Sequence, residues 1–270
     1  MPYFYVLTFD LFKRAYIVLF LVIVYAGNSQ TRKRNFHDRE LGLLLGGSYY
    51  IGDINSTAHF KNSHPAIGLF FRYSRNYRYA FRFGLNYGKI SGNDAQSSNA
   101  NQQERNLSFS SNIYEASSIA EFNFVEYRIG HDRYRFTLFI FAGLAGYYFN
   151  PIGSGGEVLR EQNSENQPKA YPKFQMSVPF GVGLKWNSGD KWGFGVEWGP
   201  RRTFTDYLDD IKGSYPASNA DSVDPAKAPG SMRGNPSTRD WYFYCGLTIN
   251  LKLPDPRKAC HGAGKRTGRR

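Results

Sequence analysis

The chain has 270 residues, with 22 Phe, 20 Tyr and 28 Gly but only 3 Met and 2 Cys, and it carries a formal charge of +12. At 41% hydrophobic residues it is too polar for a bundle of membrane helices, and its two cysteines do not suggest a disulfide framework. Abundant aromatics and glycines over a polar background suit a barrel with one lipid face and one polar face.

The N-terminus reads as an export signal. Lys13 and Arg14 precede an apolar run over 15–26, too short for a confident membrane span, and small residues Ala26, Gly27 and Ser29 follow. This predicts a signal peptide over 1–29, cleaved before Gln30, with a periplasmic lead-in over 30–39. An uncleaved N-terminal anchor is the lesser reading.

Eight alternating segments follow, because successive side chains on a strand point to opposite faces. The first, 40–51, sets Leu41, Leu43, Leu45, Tyr49 and Ile51 on one face. The second, 66–74, does the same with Ile67, Leu69, Phe71 and Tyr73. In the third, 79–90, Phe81, Phe83, Leu85 and Tyr87 oppose Arg82, Gly84, Asn86 and Gly88. In the fourth, 112–125, Tyr114, Ala116, Ala120, Phe122 and Phe124 oppose Glu115, Ser117, Glu121 and Asn123. The fifth, 134–149, is apolar on both faces in its middle, which leaves its facing open. The sixth, 174–186, alternates clearly, and Pro179 within it predicts a bulge. The seventh, 192–199, sets Glu197 against Trp192, Phe194, Val196 and Trp198. The eighth, 241–253, alternates over its whole length, longer than the usual globular strand and suited to a tilted bilayer crossing of about 9–11 residues.

The links alternate in length. Those at 75–78, 126–133 and 187–191 are short, and those at 52–65, 91–111, 150–173 and 200–240 are long and polar. Short periplasmic turns and long outer loops are the habit of transmembrane barrels, and an even strand count returns both ends to one side. The expected fold is therefore all-β: an eight-stranded antiparallel transmembrane barrel of the outer-membrane type over 40–253, in contact with outer-membrane lipid, in a Gram-negative bacterium. A basic tail over 254–270 follows it. Tyr49, Tyr87, Tyr147, Tyr148, Trp186, Trp192, Trp198 and Trp241 are placed in interfacial girdles. Arg72, Arg82, Lys185 and Lys252 face the lumen with Glu115, Glu121 and Glu197, which predicts paired charges and a plugged lumen.

Several segments carry a family likeness. They are Glu40-Leu41-Gly42, the stretch from Gly46 to Asn55, Arg105-Asn106-Leu107-Ser108-Phe109 leading into Asn112-Ile113-Tyr114-Glu115, and Arg233-Gly234-Asn235-Pro236. The most specific is Thr203-Phe204-Thr205-Asp206-Tyr207-Leu208-Asp209-Asp210, after Trp198-Gly199-Pro200-Arg201-Arg202. Together they resemble the PorG-like outer-membrane barrel subunit of the type IX protein secretion system. The resemblance implies a non-enzymatic part of that machine, anchoring or positioning periplasmic ring-forming subunits, one of them a lipoprotein. The alternative is a generic small outer-membrane barrel that braces the envelope or binds a ligand.

The last long loop is expected to be structured over the barrel mouth, with Arg201, Arg202, Phe204, Asp206, Tyr207, Asp209 and Asp210 as its candidate residues. Phe204, Tyr207, Leu208 and Ile211 call for burial there. Three acids without EF-hand spacing favour pairing with Arg201, Arg202 or Arg233 over a calcium site. His59 and His64 share a loop with Asp53, but no Ser- or Cys-centred motif accompanies them, so catalysis is the weaker reading. The run Gly153-Ser154-Gly155-Gly156 lacks the following Lys of a phosphate loop. No cofactor and no nucleic-acid module is read. A soluble carrier of the lipocalin kind would reverse the polarity of the two faces.

Overall fold

The computed structural model describes residues 37–55, 58–97, 99–162, 171–211, 213–215, 228–235 and 239–254. The expected signal segment, most of the expected lead-in and all of the basic tail after Pro254 lie outside the described residues.

One antiparallel sheet closes on itself. Its strands are β1 Asp38–Ile51, β2 His64–Ser74, β3 Tyr79–Asn93, β4 Ser108–Asn123, β5 Phe136–Tyr148, a short β6 Pro151–Gly153, β7 Phe174–Ser188, β8 Trp192–Thr203 and β9 Trp241–Lys252. β1 pairs with both β2 and β9, and β3 pairs with β4, so eight strands complete the ring while β6 extends one end of β4. Closure leaves the eight-stranded ring without a free edge, the condition for a sheet that spans lipid. The register carries Leu41 through Phe71, Phe83, Ser118 and Leu144, across the lapsed β5–β7 position opposite Val178, and on through Arg202 and Trp241 back to Ile51, further along the same strand. That stagger is the shear that tilts barrel strands.

The alternation decides the facing. Leu41, Leu45, Ile67, Leu69, Phe83, Leu85, Leu144, Met176, Val182 and Leu247 are exposed and form an apolar belt, while polar and charged side chains are buried inside. A soluble protein rarely shows so large an apolar surface, and a bilayer accounts for it. β5 resolves its open facing in the same way. Phe136, Leu138, Ile140, Leu144 and Tyr148 point out, and Thr137, Phe139, Phe141 and Tyr147 point in.

Four expectations are corrected. Pro179 causes no bulge. The β5–β7 and β7–β8 registers are the same on both sides of it, and only pairings next to it lapse, because a proline lacks the N–H a ladder needs. Tyr147 is not in a girdle but wholly buried in the lumen against Tyr242, with ring centroids 5.1 Å apart. Tyr49 faces outward yet is fully buried, because His59 and Phe60 of loop 52–63 fold down over it. β8 runs on to Thr203 instead of stopping at Gly199, since Arg201 and Arg202 keep their pairing with Tyr242 and Trp241.

The three turns at 75–78, 124–135 and 189–191 mark one end of the barrel, and loops 52–63, 94–107, 149–173 and 204–240 mark the other. A 3-10 turn, Asp94–Gln96, and a helix α1, Ala100–Arg105, stiffen the second long loop. A four-residue helix α2, Leu159–Gln162, lies in the third.

Candidate functional site

The lumen is filled by an ion-pair layer. Glu40, Arg72 and Arg82 lie side by side in the register of β1, β2 and β3, with side chains inward. Arg72 Nη1 donates to Glu40 Oε2 at 2.7 Å, and its Nε lies 2.9 Å from Glu121 Oε2. Arg82 Nε lies 3.0 Å from Glu121 Oε1, and its Nη1 donates to Glu197 at 2.6 Å. Lys185 Nζ donates to Glu121 Oε2 at 2.5 Å and to Asn123 Oδ1 at 3.1 Å. One carboxylate, Glu121, thus holds three cations. Three cations face three carboxylates, Glu40, Glu121 and Glu197, and aromatic faces pack on the cations as well. Arg72 and Arg82 lie over Phe70, Arg82 also over Phe141, and Lys185 over Phe139 at 4.0 Å. Among these side chains the lumen keeps a void of about 10 Å³, room for one water at most.

A second layer lies nearer the long loops. Glu115 Oε2 accepts from Arg201 Nε at 3.3 Å and from the Tyr242 hydroxyl at 2.8 Å. Arg201 is therefore a lumen residue, not a loop residue, while its neighbour Arg202 is exposed. Lys252, assigned to the lumen by its parity, sits at the turn-end rim. There it pairs with Asp38 at 3.1 Å and donates to the Ile129 carbonyl. Glu40 and Asp38 were missed. The even-numbered parity of Gly42 and Leu44 at the start of β1 would have found them.

The mouth is closed by packed loop residues. Tyr50, Ile54, Ile90, Phe109, Ile113, Tyr147, Phe149, Tyr171, Leu208 and Ile211 make one buried cluster. Tyr171 stacks between Phe149 and Tyr207 with nearly parallel rings. Of the candidate loop residues, Asp206, Asp209 and Asp210 are buried, Tyr207 is half-buried and Phe204 is exposed, so Phe204 departs from the expected burial. Asp210 meets Arg233, whose Nη1 donates to the Asp210 carbonyl at 2.9 Å, and accepts from the Tyr171 hydroxyl at 2.8 Å. Arg105 of α1 grips Asp94 with Nε at 2.7 Å and Nη2 at 2.9 Å, and its Nη1 reaches the Arg233 carbonyl at 2.5 Å. This ties the second long loop to the fourth.

Tyr50 joins two acids. Its hydroxyl lies 2.5 Å from Asp209 Oδ2 and 2.9 Å from Asp240 Oδ1, and both carboxyls are buried. A single phenolic proton serves one acid, so the second contact needs a proton on a carboxyl. Burial pushes the Asp209 carboxyl up to about 8, and burial together with the nearby Asp209 charge pushes Asp240 well above the usual range. Leu208 N donates to Asp240 and Ile211 N to Asp209, so the pair fixes the loop backbone.

The turn end is closed as well. Tyr127 and Ile129 of turn 124–135 point into the barrel and are buried, and the Tyr127 hydroxyl donates to the Trp186 carbonyl. Asn187 Nδ2 donates to the Arg128 carbonyl at 2.6 Å and holds the turn inward. Among the described residues, no group of three or more His, Cys, Asp or Glu side chains is arranged to hold a metal ion. His64 bonds Ser91 on β3 at 2.7 Å and His59 meets Tyr49 on β1 at 3.2 Å, so the two histidines serve different partners.

A ring of eight strands, apolar without and ion-paired within, defines a small transmembrane barrel of the outer-membrane type. The family described as "Domain of unknown function (DUF6089)" matches residues 13–263, and the chain belongs to it. The comparison with curated proteins found no match. Among solved structures the chain is similar to the attachment invasion locus protein Ail of Yersinia pestis, at 10% identity and a TM-score of 0.42, over 80% of this chain and 99% of that one. Neisserial surface protein A matches at 8% identity and a TM-score of 0.41, over 80% and 97%. The N-terminal barrel domain of Pseudomonas aeruginosa OprF matches at 12% identity and a TM-score of 0.37, over 81% and 100%.

Proposed function

We propose that this chain is a non-enzymatic barrel of the outer membrane of a Gram-negative bacterium, acting as a closed scaffold that presents its two ends to other envelope components. The carrying observation is the filled lumen. The Glu121-centred ion pairs, the Tyr50 cluster above and the Tyr127–Ile129 turn below fill the lumen at three levels with buried side chains of the described residues. With the long loops outside, the turns and both strand ends of the barrel face the periplasm. Reconstitution of the folded protein in planar bilayers tests this. The expected result is no steady conductance, and stable ohmic steps from the unaltered protein would refute the scaffold reading.

A second reading is favoured by the segments that carry the family likeness, of which 203–210 is the most specific. Its resemblance to the PorG-like subunit makes the barrel an accessory part of the type IX secretion machinery, holding periplasmic ring-forming subunits that include a lipoprotein. Crosslinking in cells followed by pull-down decides it. Recovery of a ring lipoprotein supports the reading. Its absence, with normal cargo secretion in a deletion strain, leaves the generic scaffold.

A further inference from the structure

The turn-end rim carries a concave, charged feature that the closed-scaffold reading does not use. His37, Asp38 and Arg39 at the start of β1, Leu251 to Pro254 at the end of β9, Arg128 and Lys191 surround a cavity of about 380 Å³. Four cations, Arg39, Arg128, Lys191 and Lys252, face it against the single carboxylate of Asp38. Asp38 is already engaged by Arg128 Nε and Lys252 Nζ, each at 3.1 Å. Among the described residues Arg39 Nη2 donates to the Pro254 carbonyl at 3.2 Å and has no ion-pair partner, and Lys191 is exposed, likewise with no ion-pair partner among them. The cavity is therefore strongly cationic.

Its position says what kind of anion fits. Arg39 continues the outward row of Leu41 and Leu43 on β1, and Leu251 and Leu253 continue that of Leu247 and Ile249 on β9. Lys191 directly precedes Trp192, an exposed aromatic at the same end of the belt. The cations thus stand where the apolar belt stops and the headgroup layer starts. An anion bound here has an apolar wall on its membrane side and cations on its water side. This geometry matches a phospholipid better than a free anion, which would gain nothing from Leu251 and Leu253.

We propose that this rim cavity binds the phosphodiester headgroup of an anionic phospholipid of the periplasmic leaflet, with Arg39 and Lys191 as its principal contacts and the acyl chains along Leu251 and Leu253. The inference rests on the membrane reading of the belt. Each Lys or Arg near a membrane surface strengthens anionic-lipid attraction by roughly fivefold, so two together supply about thirtyfold.

The test uses the full chain folded in a zwitterionic detergent, with native mass spectrometry counting bound phosphatidylglycerol or phosphatidylcholine of identical chains. The expected result is a tight phosphatidylglycerol adduct with no equal phosphatidylcholine adduct. The double variant Arg39→Gln, Lys191→Gln is expected to lose most of that preference. A chain truncated after Pro254, which lacks the basic tail, is expected to keep it. Circular dichroism and the heat-dependent gel shift of a folded barrel separate loss of binding from loss of fold. They also distinguish failure of this proposal from failure of the barrel reading, which would show as misfolding of the unaltered chain. Equal binding of the two lipids overturns the proposal. So does a preference that survives the double variant, one that vanishes with the tail, or binding of an acidic periplasmic protein without lipid preference.

Discussion

Arg82 on β3 and Glu197 on β8 meet at 2.6 Å although their strands lie on opposite sides of the barrel, four steps apart by either route round the sheet. The pair spans the lumen and ties the two walls through a charge-assisted hydrogen bond. Around it, Glu121 supplies the anion that Arg72, Arg82 and Lys185 share. The barrel wall is specified by apolar residues facing lipid, but its closed middle is specified by this network.

Glu121→Gln is expected to destabilise the barrel by about 3–5 kcal/mol, because it leaves buried cations short of their counter-charge. Equilibrium urea unfolding with refolding into phospholipid vesicles measures it. A loss below about 1 kcal/mol would mean the cations are solvated, and that the lumen is wetter than the contacts show. Adding Lys185→Met to Glu121→Gln removes one orphaned cation and is expected to recover part of the loss.

Loop 52–63 is expected to be clamped to the barrel's outer face by Tyr49. The Tyr49 hydroxyl accepts from Trp198 Nε1 at 2.9 Å and contacts His59 Nδ1 at 3.2 Å, and Phe60 packs on its ring. Replacing both His59 and Phe60 by Ala should speed tryptic cleavage after Lys61 in detergent while the strands resist digestion. Unchanged cleavage would show that the loop is held elsewhere, by contacts such as Lys61 Nζ to the Gln96 carbonyl.

The lumen was legible because charge and parity coincide. Arg72, Arg82, Glu115, Glu121, Lys185 and Glu197 each sit at a strand position whose neighbours in the alternation are apolar. The inner row of β5 was not legible. Phe139 and Phe141 are as apolar as the lipid-facing row, and the cations they meet inside, Lys185 and Arg82, are written on other strands. Arg201 was misread as loop for a similar reason: its partner Glu115 lies 86 residues away. The Tyr50–Asp209–Asp240 junction joins residues 159 and 190 positions apart, beyond any local pattern.

Gly46 faces Gly246 across the β1–β9 pair. A methyl at Gly46 would overlap the Cys245 carbonyl and the Gly246 Cα, which are backbone atoms and cannot rotate away. Gly46→Ala is expected to cost about 1–3 kcal/mol and to slow barrel closure. Gly84→Ala is the control, since its nearest neighbour is the Ser117 hydroxyl at 3.2 Å, which can turn aside. Equal costs for the two variants would show that β1 and β9 shift apart to accommodate the methyl.

The fourth long loop is expected to loosen as pH rises. Asp209 and Asp240 are buried around one Tyr50 hydroxyl, with Asp53 and Asp206 adding negative charge and Arg105 opposing it. Their folded-state affinity for protons exceeds that of the open loop, so the closed loop binds more protons between the usual carboxylate range and about pH 8. By linkage, closure is strongest below about pH 4 and weakens progressively up to about pH 8. Amide hydrogen exchange at Leu208 and Ile211, corrected for intrinsic rate, measures it, because both N–H groups donate to the paired acids. The expected profile is lower protection at pH 8.5 than at pH 5.5. Asp209→Asn should flatten the profile and raise protection at the alkaline end, since the amide keeps Oδ1 as the acceptor for Ile211 N and turns its NH2 toward the Tyr50 hydroxyl oxygen, which then donates to Asp240, without adding charge. A wild-type profile independent of pH would mean the two carboxyls titrate normally, and that solvent reaches them past Leu208.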